Sequence, residues 1–154
     1  MKRGFYIAFL FLLAYVCPVS SVFAAFNLPS DVFRIDQLGE AQNKATSNNA
    51  PIVLLYSNEH TDCGLATAAS LDVIQEFKSS CVIVYVTSAK DENAWAKFPK
   101  VVRSAINSPE AGRFIPICII VNPEITRVIS VIPYTRDSKE RKESLRRVND
   151  MISN

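Results

Sequence analysis

Three runs of consecutive apolar residues restrict the fold of this 154-residue chain more than any other feature. They are Ile52-Val-Leu-Leu-Tyr56, Cys81-Val-Ile-Val-Tyr-Val86 and Ile115-Pro-Ile-Cys-Ile-Ile-Val121. A strand with one face in water alternates apolar and polar residues, whereas a strand covered on both faces does not need to. Three such strands require a sheet with helices on both sides. The segments between them read as those helices. From Asp31 to Ser47 apolar residues recur at Ile35, Leu38, Ala41 and Ala45, with Ser30 or Asp31 as a cap, and Asn48-Asn-Ala-Pro51 ends the segment. Over 63–78, Ala66, Ala69, Val73, Ile74 and Phe77 share one face while Asp72, Gln75 and Glu76 turn away.

Shorter helical segments are expected around Trp95 and from Pro99 to Ile106, Pro99 suiting a first turn. Trp95 and Phe98 read as core. Asn122-Pro-Glu-Ile-Thr126 forms a turn into a fourth strand, Arg127 to Ile132, and a last helix over 138–152 carries Leu145, Val148 and Ile152 inward. A βαβ start with a hairpin end gives an α/β fold, a mixed sheet of about four strands flanked by helices on both faces.

The first 24 residues stand apart. Lys2 and Arg3 precede an uncharged apolar run from Phe5 to Val16, and small residues follow up to Ala24 and Ala25. This is the pattern of a secretory signal cleaved after Ala24, with an uncleaved anchor as the alternative. The run is too short for an ordinary spanning helix, so no stable membrane span is expected in the mature chain. The division is then 1–24 signal and 25–154 domain, placed in a periplasm or outside the cell. Lys plus Arg number 17 against 15 Asp plus Glu, and without Lys2 and Arg3 the balance is neutral. A neutral domain with no basic run is not built for nucleic acid.

Export leaves Cys63, Cys81 and Cys118, an odd number in an oxidising compartment and too few for a disulfide framework. Cys81 and Cys118 sit among Val and Ile, where a cysteine acts as a small hydrophobe, and both read as core. His60 and Cys63 supply only two ligands, so neither a metal nor another cofactor is expected.

The order of elements, with Asp62-Cys63-Gly64-Leu65-Ala66 opening the helix after the first buried strand and Arg113-Phe114-Ile115-Pro116 opening a later one, resembles the thioredoxin superfamily. Asn49-Ala-Pro-Ile-Val-Leu-Leu-Tyr56 and the helix before it resemble its exported branch. The resemblance covers about residues 31–152. It implies a thioredoxin-like sheet, Cys63 as the nucleophilic thiol, and a substrate groove shaped by a cis Pro116 with Ile115 and Arg113. It also implies that the strands near Cys81 and Cys118 are separated by the first buried strand.

The Cys-x-x-Cys turn of that superfamily is degenerate here. Ala66 stands where the second cysteine belongs, and Asp62 where an aromatic belongs. A dithiol oxidoreductase needs the second sulfur to resolve the mixed disulfide formed by the first, so standard reductase cycling is not expected. A helix N-terminus favours an anionic sulfur at Cys63, whereas a carboxylate at Asp62 opposes it or caps the helix instead. His60 is either a base, a cationic neighbour or a solvated loop residue. Peroxidases of this fold place a Thr three residues before the reactive Cys, and here His60 occupies that position. Two functions follow. One is an exported protein with a single active-site thiol that forms mixed disulfides with a partner protein or a small thiol. The other is a non-catalytic protein-binding module on the same fold, with Cys63 a vestige.

Overall fold

A computed structural model describes residues 27–58, 63–87, 95–96 and 98–154. The expected signal over 1–24 and residues His60 and Asp62 lie outside the described residues. The three apolar runs form strands β2 (Ile52–Ser57), β3 (Val82–Thr87) and β4 (Ile117–Val121), and β5 (Val128–Ile132) follows β4 through the expected turn. Helix α1 spans Leu38–Asn48, α2 Gly64–Phe77, α3 Lys100–Ile106 and α4 Ser138–Ser153.

A fifth, two-residue strand, β1 (Phe33–Arg34), completes a sheet of order β1-β3-β2-β4-β5. β1, β3 and β2 run parallel, and β4 and β5 are antiparallel additions. The fold is α/β and thioredoxin-like. β1 changes one expectation. The segment from Asp31 does not begin a helix, because Phe33 and Arg34 pair with Val84 and Tyr85 along the exposed edge of β3. The chain then passes through a 3-10 turn at Ile35–Gln37 into α1, which starts at Leu38 with Gln37 as its cap position. Ladder bonds on an open strand edge outweigh the helical period there. Ala41 and Ala45 are fully buried, as their spacing implied.

Both sheet faces are covered. In β2, Ile52 and Leu54 point into the core beneath α1 and α3, while Val53 and Leu55 point into the core beneath α2 and α4. β4 divides the same way, Ile119 and Val121 on one side and Cys118 and Ile120 on the other. The continuous apolar runs thus reflect two cores that share one sheet. Trp95 and Phe98 pack on the first core with ring centroids 5.3 Å apart. No helix among the described residues is long and apolar enough to cross a membrane.

The charged face of α2 departs from the sequence reading. Asp72 does not turn to solvent. It lies between α2 and α4, where Arg141 Nε and Nη2 donate to its Oδ2 at 2.9 and 2.6 Å. A carboxylate on a helix flank is withdrawn from water because a neighbouring helix supplies a guanidinium in fork geometry. Glu76 is likewise engaged, accepting from Asn149 Nδ2 at 3.1 Å. Pro99 is the cap position of α3 rather than its first helical residue.

Candidate functional site

Past the end of β2 in sequence, Cys63 is the N-cap of α2. Cys63 has extended backbone angles (φ −81°, ψ 99°), and its carbonyl accepts from Ala66 N at 3.0 Å and Thr67 N at 3.1 Å. The thiol is exposed. Behind it, Ser57 at the end of β2 and Ser70 on α2 are both buried, and their hydroxyls lie 3.1 Å apart. This contact ties α2 to the end of β2.

A second segment approaches from β4. Gly112 has φ +73°, a conformation that L side chains rarely adopt, and the chain reverses there into Arg113 and Phe114. The Ile115–Pro116 peptide is cis. A third segment, Tyr134 to Arg136, runs from β5 into α4. Its position is fixed from behind, since Arg141 Nη1 donates to Thr135 O at 3.0 Å. Thr135 Oγ1 also donates to Glu140 Oε2 at 3.1 Å, and Asp137 caps α4 by accepting from Lys139 N and Glu140 N.

These three segments enclose an open depression of about 760 Å³. Cys63, Ala66, Arg113 and Ile115 all line it, together with Leu65, Phe114, Tyr134, Thr135 and Arg136. Four residues singled out from sequence are thereby brought together. Pro116 is buried and lines a small void beside Cys118, Ala69 and Arg141 rather than the depression itself. His60 and Asp62 fall outside the described residues. Leu65, Phe114, Tyr134, Thr135 and Arg136 were not selected from sequence. A signal existed only for Phe114, an aromatic flanking the Ile-Pro pair, because exposure cannot be read from a single chain.

Among the described residues no disulfide joins Cys63, Cys81 and Cys118. Cys118 is buried in β4, and burial pushes its thiol well above the ordinary range, reinforced by the neighbouring Cys81. Cys81 corrects the sequence reading, because it stands one residue ahead of β3 and is only partly buried. Burial raises its thiol too, against a smaller lowering from the Ser80 hydroxyl. The two cysteines lie on opposite sides of β2 in the sheet order. No group of three or more His, Cys, Asp or Glu among the described residues is arranged to hold a metal ion.

No protein-family pattern matches the sequence, and no curated protein matches it significantly. Solved structures with a similar fold include the germline-specific thioredoxin Deadhead of Drosophila melanogaster, 14% identical with a TM-score of 0.46, covering 78% of this chain and 99% of that one. Thioredoxin O2 of Arabidopsis thaliana is 12% identical with a TM-score of 0.47, covering 80% and 98%. A DsbH oxidoreductase is 10% identical with a TM-score of 0.45, covering 71% and 81%. At these values the likeness carries nothing about activity.

Proposed function

We propose that this is an exported thioredoxin-like protein that works through one thiol, Cys63, forming mixed disulfides with a partner protein or a small thiol. The observation that carries the reading is the exposed Cys63 at the N-cap of α2, on the rim of a depression also bounded by Ile115 and by Ala66 in place of a second sulfur. In the exchange, the Cys63 thiolate attacks one sulfur of a partner disulfide. A Cys63 S–S bond forms, the partner S–S bond breaks, and the second partner sulfur leaves as a thiolate. With an alanine side chain at position 66, release requires a thiolate supplied by a small thiol from solution. That thiolate takes over the bond to the partner sulfur and returns Cys63 as the leaving group. Ile115 and Arg113 line the surface on which the partner backbone lies, the cis Pro116 supports them from its buried position, and His60 and Asp62, close to Cys63 in sequence, modulate the sulfur. Residues 1–24 are the export signal, so the domain 25–154 works in a periplasm or outside the cell.

Accessible thiols in the native mature protein test this reading. One thiol should react quickly with a small aromatic disulfide and vanish in Cys63→Ser, while the other two react only on unfolding. If no thiol reacts faster than on unfolding, the alternative holds, a binding module with a vestigial cysteine. That alternative is favoured by the buried methyl of Ala66 where a resolving sulfur would stand.

A further inference from the structure

The depression beside Cys63 has an uneven chemistry. Arg113 enters from the segment before β4 and Arg136 from the segment after β5, and both are exposed. Among the described residues neither guanidinium is in an ion pair, and no described carboxylate lines the depression. The acids nearest Arg136 in sequence are engaged elsewhere. Asp137 accepts from the first amides of α4, and Glu140 accepts from the Thr135 hydroxyl. The same depression is lined by apolar groups held out in water, Phe114 at 70% exposure and Leu65 at 49%. Large exposed apolar side chains grouped around a concavity mark a contact surface. A second depression begins two residues beyond Arg136, at Ser138, and is lined by Lys139, Lys142 and Arg146 against the single acid Glu143.

We propose that the depression receives an extended acidic segment of a partner protein, with carboxylates on Arg113 and Arg136 and an apolar side chain against Phe114 and Leu65. Arginine suits this task because its planar fork engages a carboxylate with two parallel bonds. The acidic side chains come first in the encounter and set orientation, since complementary charge governs the approach and choice of partner more than the final contact area. The inference rests on reading this depression as the partner site and adds what chemistry that partner has.

The test uses peptides with serine in place of cysteine, so that binding is read without thiol exchange. Three fluorescein-labelled peptides share a central leucine and differ in their flanks, Asp and Glu, Asn and Gln, or Lys. Anisotropy with the mature protein should show the acidic peptide binding about tenfold tighter than the neutral one, the sum of two partly exposed charge contacts. The preference should shrink as ionic strength rises from roughly 0.05 to 0.3 M. Arg113→Gln with Arg136→Gln should abolish the difference between the acidic and the neutral peptide. Both side chains are exposed, so the variant should keep the wild-type melting curve.

Equal binding of acidic and neutral peptides overturns the inference, as does a preference that survives loss of both arginines. Displacement of the acidic peptide by a single-stranded oligonucleotide at equal concentration also overturns it, because the site would then read bare charge. The thiol reading is scored separately by the reactivity of Cys63. Charge-blind binding with a reactive Cys63 removes only the acidic segment, whereas charge-selective binding with an inert Cys63 removes only the exchange chemistry.

Discussion

Removing Asp72 should destabilise the protein more than removing its partner Arg141, and removing both should cost less than removing Asp72 alone. The Asp72 and Arg141 side chains are 12% and 9% exposed, and the guanidinium makes two bonds to Oδ2 and one to Thr135 O. Asp72→Ala strands a buried guanidinium, a loss that costs roughly 3–5 kcal/mol. In Arg141→Met the carboxylate keeps Lys142, whose Nζ lies 3.5 Å from Oδ1 and reaches solvent. The Met side chain also fills much of the Arg stem volume, so about 1–3 kcal/mol is expected. In the double variant no charge is left buried, and about 1–2 kcal/mol remains from lost packing and the unfilled Thr135 carbonyl.

The coupling energy of the cycle should therefore be about 2 kcal/mol or more. Urea denaturation of the three variants, with equal slopes and shifted midpoints, measures it. An Asp72→Ala cost below about 1 kcal/mol would mean that the pair behaves as a surface ion pair. A double variant as unstable as the sum of the singles would equally refute the account.

Burial raises the Cys118 thiol well above the ordinary thiol range, so the folded state keeps a proton there that the unfolded chain releases at high pH. The contribution is fully present below about pH 9 and is lost as pH rises beyond it, with a slope of up to about 1.4 kcal/mol per pH unit from this one group. Cys118→Ala should be less stable at neutral pH but show a shallower alkaline decline, read from urea midpoints between roughly pH 8 and 10. Ala66→Cys should form an internal disulfide with Cys63 on mild oxidation and gain catalytic turnover on a protein disulfide, because residues three apart at a helix start lie on neighbouring positions of one face. Mass spectrometry that finds no such bond in the folded variant would show that the two positions do not face each other. Asp137→Ala should lower stability by about 1 kcal/mol through loss of the α4 cap, visible in the urea midpoint. Asn122→Ala should cost about 1–2 kcal/mol, since Asn122 Oδ1 accepts from Thr126 N and Arg127 N and closes the β4–β5 turn.

The strands and helices were legible because each writes its environment into a few adjacent residues. Ile52 to Leu55 are all fully buried, and Ala66, Ala69, Val73, Ile74 and Phe77 form the inward face of α2 as their spacing implied. The reading failed where a residue answers to a distant one. Asp72 looked like a solvated face because its partner stands 69 positions away. β1 looked like the start of a helix because what it needs is the edge of β3, which no local pattern reveals. The two-residue shift at the start of β4, which begins at Ile117 and not Ile115, has the same origin. Residues 115 and 116 are apolar because they line the site and a small void, not because they pair in the sheet.

Neighbouring residues along the chain were enough to establish that three strands are covered on both faces, that helices alternate with them, that Cys63 opens a helix, and that no sulfur stands at position 66. Each is a short-range property, set by the period and polarity of neighbouring residues along one element. Tertiary structure alone decided that residues 63–66, 113–115 and 134–136 surround one depression and that two arginines face it from opposite segments. It also decided that Asp72 and Arg141 neutralise each other between α2 and α4. Those facts depend on sheet order and on which helix faces meet. Both follow from burying the apolar surface of the whole chain at once, so the partners in a contact need have no mark of one another in the sequence around them.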